Sequence, residues 1–204
     1  MLNRFCVGVA VSALAFCGAF AKADDLADIR TSGKAFAQAL HDGDVATAKH
    51  YAVTDATTEK ALDIIGEITK ARKTLIDAAV AKWGDEGKNV VVGGPNSSQT
   101  EGVQTNFQDA KIEVKGYTAT ATSKDGQDSR PVYFKKDGGV WKIELAKLAN
   151  FASVTRAGPQ SHMIAEAYTT TAGEIRDGKY KTVQDAKMGV RTNLTNALRR
   201  ARGG

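Results

Sequence analysis

An α+β fold, with N-terminal helices packed on a curved antiparallel sheet and a C-terminal helical hairpin beside it, is predicted by three features of this sequence. Apolar residues recur at helical spacing in the early and late parts of the chain. In the middle they alternate at strand spacing. The stretch "RPVYFKKDGGVWKIELA", residues 130–146, then reads as two strands joined by a tight turn, with a tryptophan on one face.

The first residues predict a destination. "MLNR" carries one positive charge, at Arg4, and the run from Phe5 to Phe20 carries none. "AKA" follows and then "DD". A basic start, a short apolar run and a small-x-small site describe a signal peptide over residues 1–23, cleaved after Ala23, although a cut after Ala21 also satisfies the small-x-small rule. The apolar run is shorter than the roughly 20 residues a spanning helix needs, so no membrane span is expected after cleavage. The expected location is the bacterial periplasm or the extracellular space. Cys6 and Cys17 are the only cysteines and both lie in this segment. The remaining chain then has no disulfide and no thiolate metal site. Removing Arg4 and Lys22 from the 28 basic residues leaves 26 against 23 acidic ones, a formal +3. That is too small a charge to imply nucleic acid. The one basic cluster, "LRRAR" at 198–202, fits cations at a helix C-terminus or an anionic-surface contact.

Each helix has a start or a stop signal. "DIRTSGKAFAQALHDG" places Ile29, Ala35 or Phe36, Ala39 and Leu40 on one broad face and ends at Gly43. Asp44 caps a short second helix, "DVATAKHYA". A third begins near Thr57 and Thr58. Its stripe of Leu62, Ile65, Ile68, Ala71 or Arg72, Leu75, Ala79 and Trp83 spans about seven turns, and Gly84 ends it. "GGPNSSQTEGVQTNFQ", 93–108, reads as a loop, flanked by a short strand at Asn89 to Val92. "KIEVKGYTATATS" alternates with a phase slip at Gly116, which predicts a β-bulge. After the slip, Tyr117 shares an inward face with Ala119 and Ala121.

In the 130–146 hairpin, Val132 and Phe134 share a face with Trp141, Ile143 and Leu145. An Asp137-Gly138 turn predicts Phe134 opposite Trp141 and Val132 opposite Ile143. Lys135, Lys142 and Glu144 take the other face. The first three helices are available to cover the apolar one. Near the C-terminus, Ile164, Tyr168, Ala172 and Ile175 make one helical stripe that stops at Gly178. Thr182 with Asp185 three residues on has capping-box spacing and opens the last helix. The two make an antiparallel helical hairpin.

The helical residues Ala39, Leu40, Gly43, Asp44, Ala48 and Tyr51, followed by Asp137, Gly138, Gly139, Trp141, Lys142 and Ile143 in the sheet, resemble the nuclear transport factor 2-like superfamily, in particular its small exported bacterial members. The resemblance covers roughly residues 30–148. It implies a cone, with a sheet wrapped around a long helix and a pocket at the mouth in the family's enzymes. The domain expected on this basis is 24–150, with 151–204 as a helical extension outside it.

Candidate chemistry is sparse. His41 sits at a helix C-terminus, where its protonated form is favoured. His50 and Tyr51 are neighbours and point roughly 100° apart. His162 lies near a helix start. No H-x-x-x-H or H-E-x-x-H spacing occurs, so no zinc site is expected, and no cofactor motif is present. The resemblance implies a carboxylate or a histidine–aspartate pair beside a tyrosine in the family's enzymes. Asp109, Glu113, Tyr117 and Tyr133 are the residues available, and none lies in a recognisable motif. Tyr117, Trp141 and Phe134 are the candidates for lining an apolar pocket, with Trp141 read first as core and only second as a ligand contact. The function expected is an exported non-catalytic binding or scaffolding module. Its partner would be a protein or a small apolar ligand. A lyase- or isomerase-type enzyme using the cone, and an oligomer assembled through the C-terminal hairpin, are the alternatives.

Overall fold

A computed structural model describes residues 23–91, 107–123, 131–148, 154 and 158–202. The segment expected to be a signal peptide, apart from its last residue, and most of the 93–108 stretch expected to be a loop lie outside them. The order is α1 (Ala23–Asp42), α2 (Val45–His50), β1 (Ala52–Val53), α3 (Ala56–Trp83), a 3₁₀ helix (Gly84–Val90), then β2 (Lys111–Lys115) and β3 (Thr118–Thr122). β4 (Val132–Asp137), β5 (Val140–Glu144), a 3₁₀ turn (Leu145–Lys147), α4 (Gly158–Arg176) and α5 (Val183–Arg202) complete it. The fold is α+β. The five strands form one mixed sheet in the order β1-β5-β4-β3-β2, with β1 parallel to β5 and every other pair antiparallel.

The helix boundaries follow local chemistry. Asp44 caps α2 by accepting from the Thr47 N–H at 3.1 Å and the Thr47 hydroxyl at 2.7 Å. The same hydroxyl, chief among several hydrogen bonds, holds the Asp44 carboxyl below its usual range. Asp55 starts α3 with a reciprocal box. Its carboxylate accepts from the Thr58 N–H at 2.7 Å, and the Thr58 hydroxyl accepts from the Asp55 N–H at 2.7 Å. Thr182 and Asp185 form the same reciprocal pair, both bonds 3.1 Å. Gly43, Gly84 and Gly178 all have positive φ at helix ends. Three further expectations need correction. Asn89 and Val90 belong to the 3₁₀ helix rather than to a strand. α1 starts five residues before Asp28. The end of the long loop is anchored, because Phe107 is buried.

The sheet differs from expectation at both turns. Gly116 makes no bulge. Lys115 pairs with Thr118, so Gly116 and Tyr117 are the two central residues of a hairpin. Gly116 has φ 60°, which a primed turn needs at its first central position. The parity change arises because the chain reverses there. In the second hairpin Asp137 pairs with Val140, which makes Gly138-Gly139 the turn and sets Phe134 opposite Ile143. Both glycines have positive φ, 56° and 83°, as a type I′ turn requires. Moving the turn by one residue shifts the pairing by two, which preserves the faces. Phe134, Trp141 and Ile143 therefore point inward in either register.

One core runs through the molecule. α1 lies against β5 and contributes Ile29, Phe36 and Leu40, and Phe107 packs edge-on to Phe134 at 5.9 Å between ring centres. Gly33 of α1 gives Phe107 its place: a Cβ there would lie 2.7 Å from the ring. α3 packs chiefly on α4, and Tyr168, Ala172 and Ile175 of α4 with Val183 and Ala186 of α5 join the same cluster as the sheet residues.

Candidate functional site

The three pocket candidates do not converge. Trp141 and Phe134 are fully buried at 0% exposure. The Trp141 indole N–H donates to Asp25 Oδ1 at 3.0 Å, and Lys136 Nζ reaches the same oxygen at 2.6 Å. Lys136 follows Phe134 on the inward face, so its ammonium ends where α1 begins. The bond to Asp25 raises the Lys136 pKa. Tyr117 is 76% exposed, at the tip of the β2–β3 hairpin. The inward parity assigned to it fails because it is a turn residue rather than the first residue of β3.

The other residues singled out are equally dispersed. Glu113 is exposed on β2 and paired with Lys111, whose side-chain hydrogen bond holds its carboxyl low. Tyr133 is half-buried on the outer face, with Lys147 Nζ 5.3 Å above its ring. Asp109 is exposed. His41 is exposed at the end of α1, and His50 meets Tyr51 edge-on at 4.8 Å. The adjacent pair therefore does touch, on the surface. Among the described residues no group of three or more metal-ligating side chains comes together.

A groove that sequence reasoning missed lies between α3 and α4. It encloses about 430 Å³ and is lined by Glu67, Lys70, Ala71 and Thr74 of α3 and by His162, Ala165, Glu166, Thr169 and Thr170 of α4. Helical spacing explains this set. Residues three and four apart share a helix face, and Ala71 and Ala165 are the small residues that leave room along it. His162 Nδ1 and Glu67 Oε2 bridge the two helices at 2.6 Å. Arg200 of α5 holds Glu166 from behind. Both members of the histidine–glutamate pair are well exposed, at 66% and 42% of the side chain. The groove offers hydroxyls and both signs of charge in an open setting. Those groups suit recognition of a polar surface. A signal for it existed in the sequence: polar residues at 67, 70 and 74 and at 162, 166, 169 and 170 occupy one face of each helix.

Tyr168 of α4 is buried, and burial raises its hydroxyl pKa against the pull of the Arg72 charge. Arg72 Nε is a buried nitrogen without a hydrogen-bond partner among the described residues. No family model matches this chain, and no curated protein or solved structure matches it either. Among the described residues no helix is long and apolar enough to cross a membrane.

Proposed function

We propose that this protein is an exported, non-catalytic binding or scaffolding module, built on a cone-like domain of the nuclear transport factor 2-like type. The signal-like first 23 residues support export. The order of helices before a sheet whose β2–β5 strands are antiparallel supports the fold relationship. The observation that carries the functional reading is the full burial of Trp141 and Phe134, with the indole N–H already occupied by Asp25. A sheet face closed in this way favours recognition on the outside of the fold. The α3–α4 groove is the surface assigned to it, and its mixed lining suits a polar protein segment better than an apolar ligand.

The test is site-specific photo-crosslinking in the exported protein. A photoreactive residue at Thr74 or Thr170 in the groove is expected to give a discrete adduct. The same residue at Lys111, on the sheet edge, is expected to give none. Equal labelling from all three positions, or none from the groove, would overturn the assignment. Recovery of the chain from the cytoplasm with an intact Met1 would overturn export.

A further inference from the structure

α5 differs in charge from the other long helices. From Val183 to Arg202 it carries five cations and one acid, Asp185 in its first turn, whereas α3 carries five cations and four acids. α3 pairs some of its charges in place, as in Lys73–Asp77, and Asp63 pairs with Lys49 of α2. On α5, Arg200 is held by Glu166. Lys187, Arg191 and Arg199 have no ion-pair or hydrogen-bond partner among the described residues. Arg191 and Arg199 are exposed and Lys187 is partly so. At 100° per residue these three lie within roughly 120° of arc and along about 18 Å of axis. Met188, 50% exposed, falls in the same arc. Ala186 and Ala197 are buried on the opposite side.

We infer that this outer face of α5 docks the protein on an anionic phospholipid surface. The inference goes beyond the groove and does not depend on it. Spread cations with a single exposed thioether among them match a headgroup layer, where cations meet phosphates and an apolar side chain enters the acyl boundary. The fit to a nucleic acid is poorer, since no aromatic side chain lies in the arc to stack a base. The apolar side of α5 stays in the protein core, so the contact is peripheral and salt-sensitive.

The experiment uses residues 24–204, the chain expected after signal cleavage, which contain every residue of the described core. Flotation with phosphatidylglycerol-containing vesicles is compared with pure phosphatidylcholine vesicles. Binding is expected only to the first, and raised salt is expected to release it. The variant Lys187→Gln/Arg191→Gln/Arg199→Gln should bind about a hundredfold more weakly, at roughly fivefold per cation. Arg191→Lys/Arg199→Lys keeps the charge and should bind like the parent, which separates charge from folding. Lys60→Gln/Lys73→Gln/Lys111→Gln lowers net charge equally on other faces and should also bind like the parent. The inference is overturned if the parent ignores the anionic vesicles, if both glutamine triples lose binding alike, or if the α5 triple binds unchanged. Retention on a sulfated polysaccharide without vesicle binding would overturn it as well.

Discussion

Two carboxylates, Asp25 and Glu174, close two parts of the core in different ways. Asp25 joins groups far apart in sequence: its partners Lys136 and Trp141 lie 111 and 116 residues away. It ties the first turn of α1 to the β4–β5 hairpin. Glu174 works locally. It accepts from Lys179, from Tyr180 and, at 2.8 Å, from Asn193, all within 19 residues. Asn193 also donates to Thr171 at 3.0 Å, which links α5 to α4. The second lock is tied to α3 through Lys82 Nζ on the Tyr180 carbonyl at 2.5 Å and Trp83 Nε1 on the Lys181 carbonyl at 3.2 Å. The difference separates closure of the whole domain from closure of one helical hairpin. Variants at the Asp25 end should therefore unfold everything together, while variants at the Glu174 end should first loosen the hairpin.

The largest effect is expected at Trp141. Burying such a side chain is worth roughly 2–3 kcal/mol, and Trp141→Ala also leaves a cavity, so the loss should reach about 3–5 kcal/mol. Urea unfolding would measure it, and an unchanged midpoint would sink the core assignment. Asp25→Ala keeps the ring and removes its acceptor together with the ion pair to Lys136. The buried indole N–H is then left unpaired, at about 1–3 kcal/mol. If the comparison holds, both variants give one unfolding transition that moves as a whole.

Gly189 tests the other end. A Cβ there would overlap the Tyr180 hydroxyl and ring. Gly189→Ala gains about 1 kcal/mol of helix propensity, and displacing a buried ring costs about 1–3 kcal/mol. The expected result is a small net loss, with hydrogen exchange rising in 174–193 before it rises in the sheet. Equal acceleration in β4 and β5 would show that the two ends are not separable.

These two closures were not equally legible in the sequence. The local signals came through: the Thr182–Asp185 box, the Asp44 cap and the glycine stops all act over three or four residues. Face parity in the 130–146 hairpin survived an error in its turn, because Asp137-Gly138 and Gly138-Gly139 both satisfy the geometry and both keep Phe134 and Trp141 inward. Gly116 misled because a two-residue turn and a bulge both break parity. Asp25 was invisible because nothing near residue 25 records a tryptophan 116 residues later. Phe107 was hidden in the same way, since its partner is the absence of a side chain at Gly33. The groove face was readable, but polar stripes on helices usually mean only solvent.

Protonation gives a finer probe of the Glu174 lock. Burial pushes the Glu174 carboxyl up, but hydrogen bonds from Lys179, Tyr180 and Asn193 outweigh it and leave the pKa below its usual 4.5. A depressed folded value means that its stabilisation is present above about 4.5 and is lost as pH falls through the folded value. Tyr180 is raised from its usual 10.0 by burial and by its bond to Glu174. A raised value means that its contribution is complete below about 10 and fades as pH rises beyond it. Glu174→Gln should flatten the acid limb of the stability profile, and Tyr180→Phe the alkaline limb. Profiles parallel to the parent's at both limits would show that the lock adds nothing.

The smallest effect is expected where the same chemistry lies in water. Lys73 and Asp77 pair at 2.9 Å, a distance close to that of the Asp25 contacts, but their side chains are 63% and 59% exposed. Solvent screens the attraction, and two long side chains lose freedom to make it. Lys73→Gln should shift Tm by less than about 2 °C. Asp25 differs because its side chain is only 18% exposed and because one of its donors is an indole that water cannot reach. A shift for Lys73→Gln as large as that for Asp25→Ala would mean that pairing rather than burial sets the strength of these contacts. The distinction between the two ends of the molecule would then lose its physical basis.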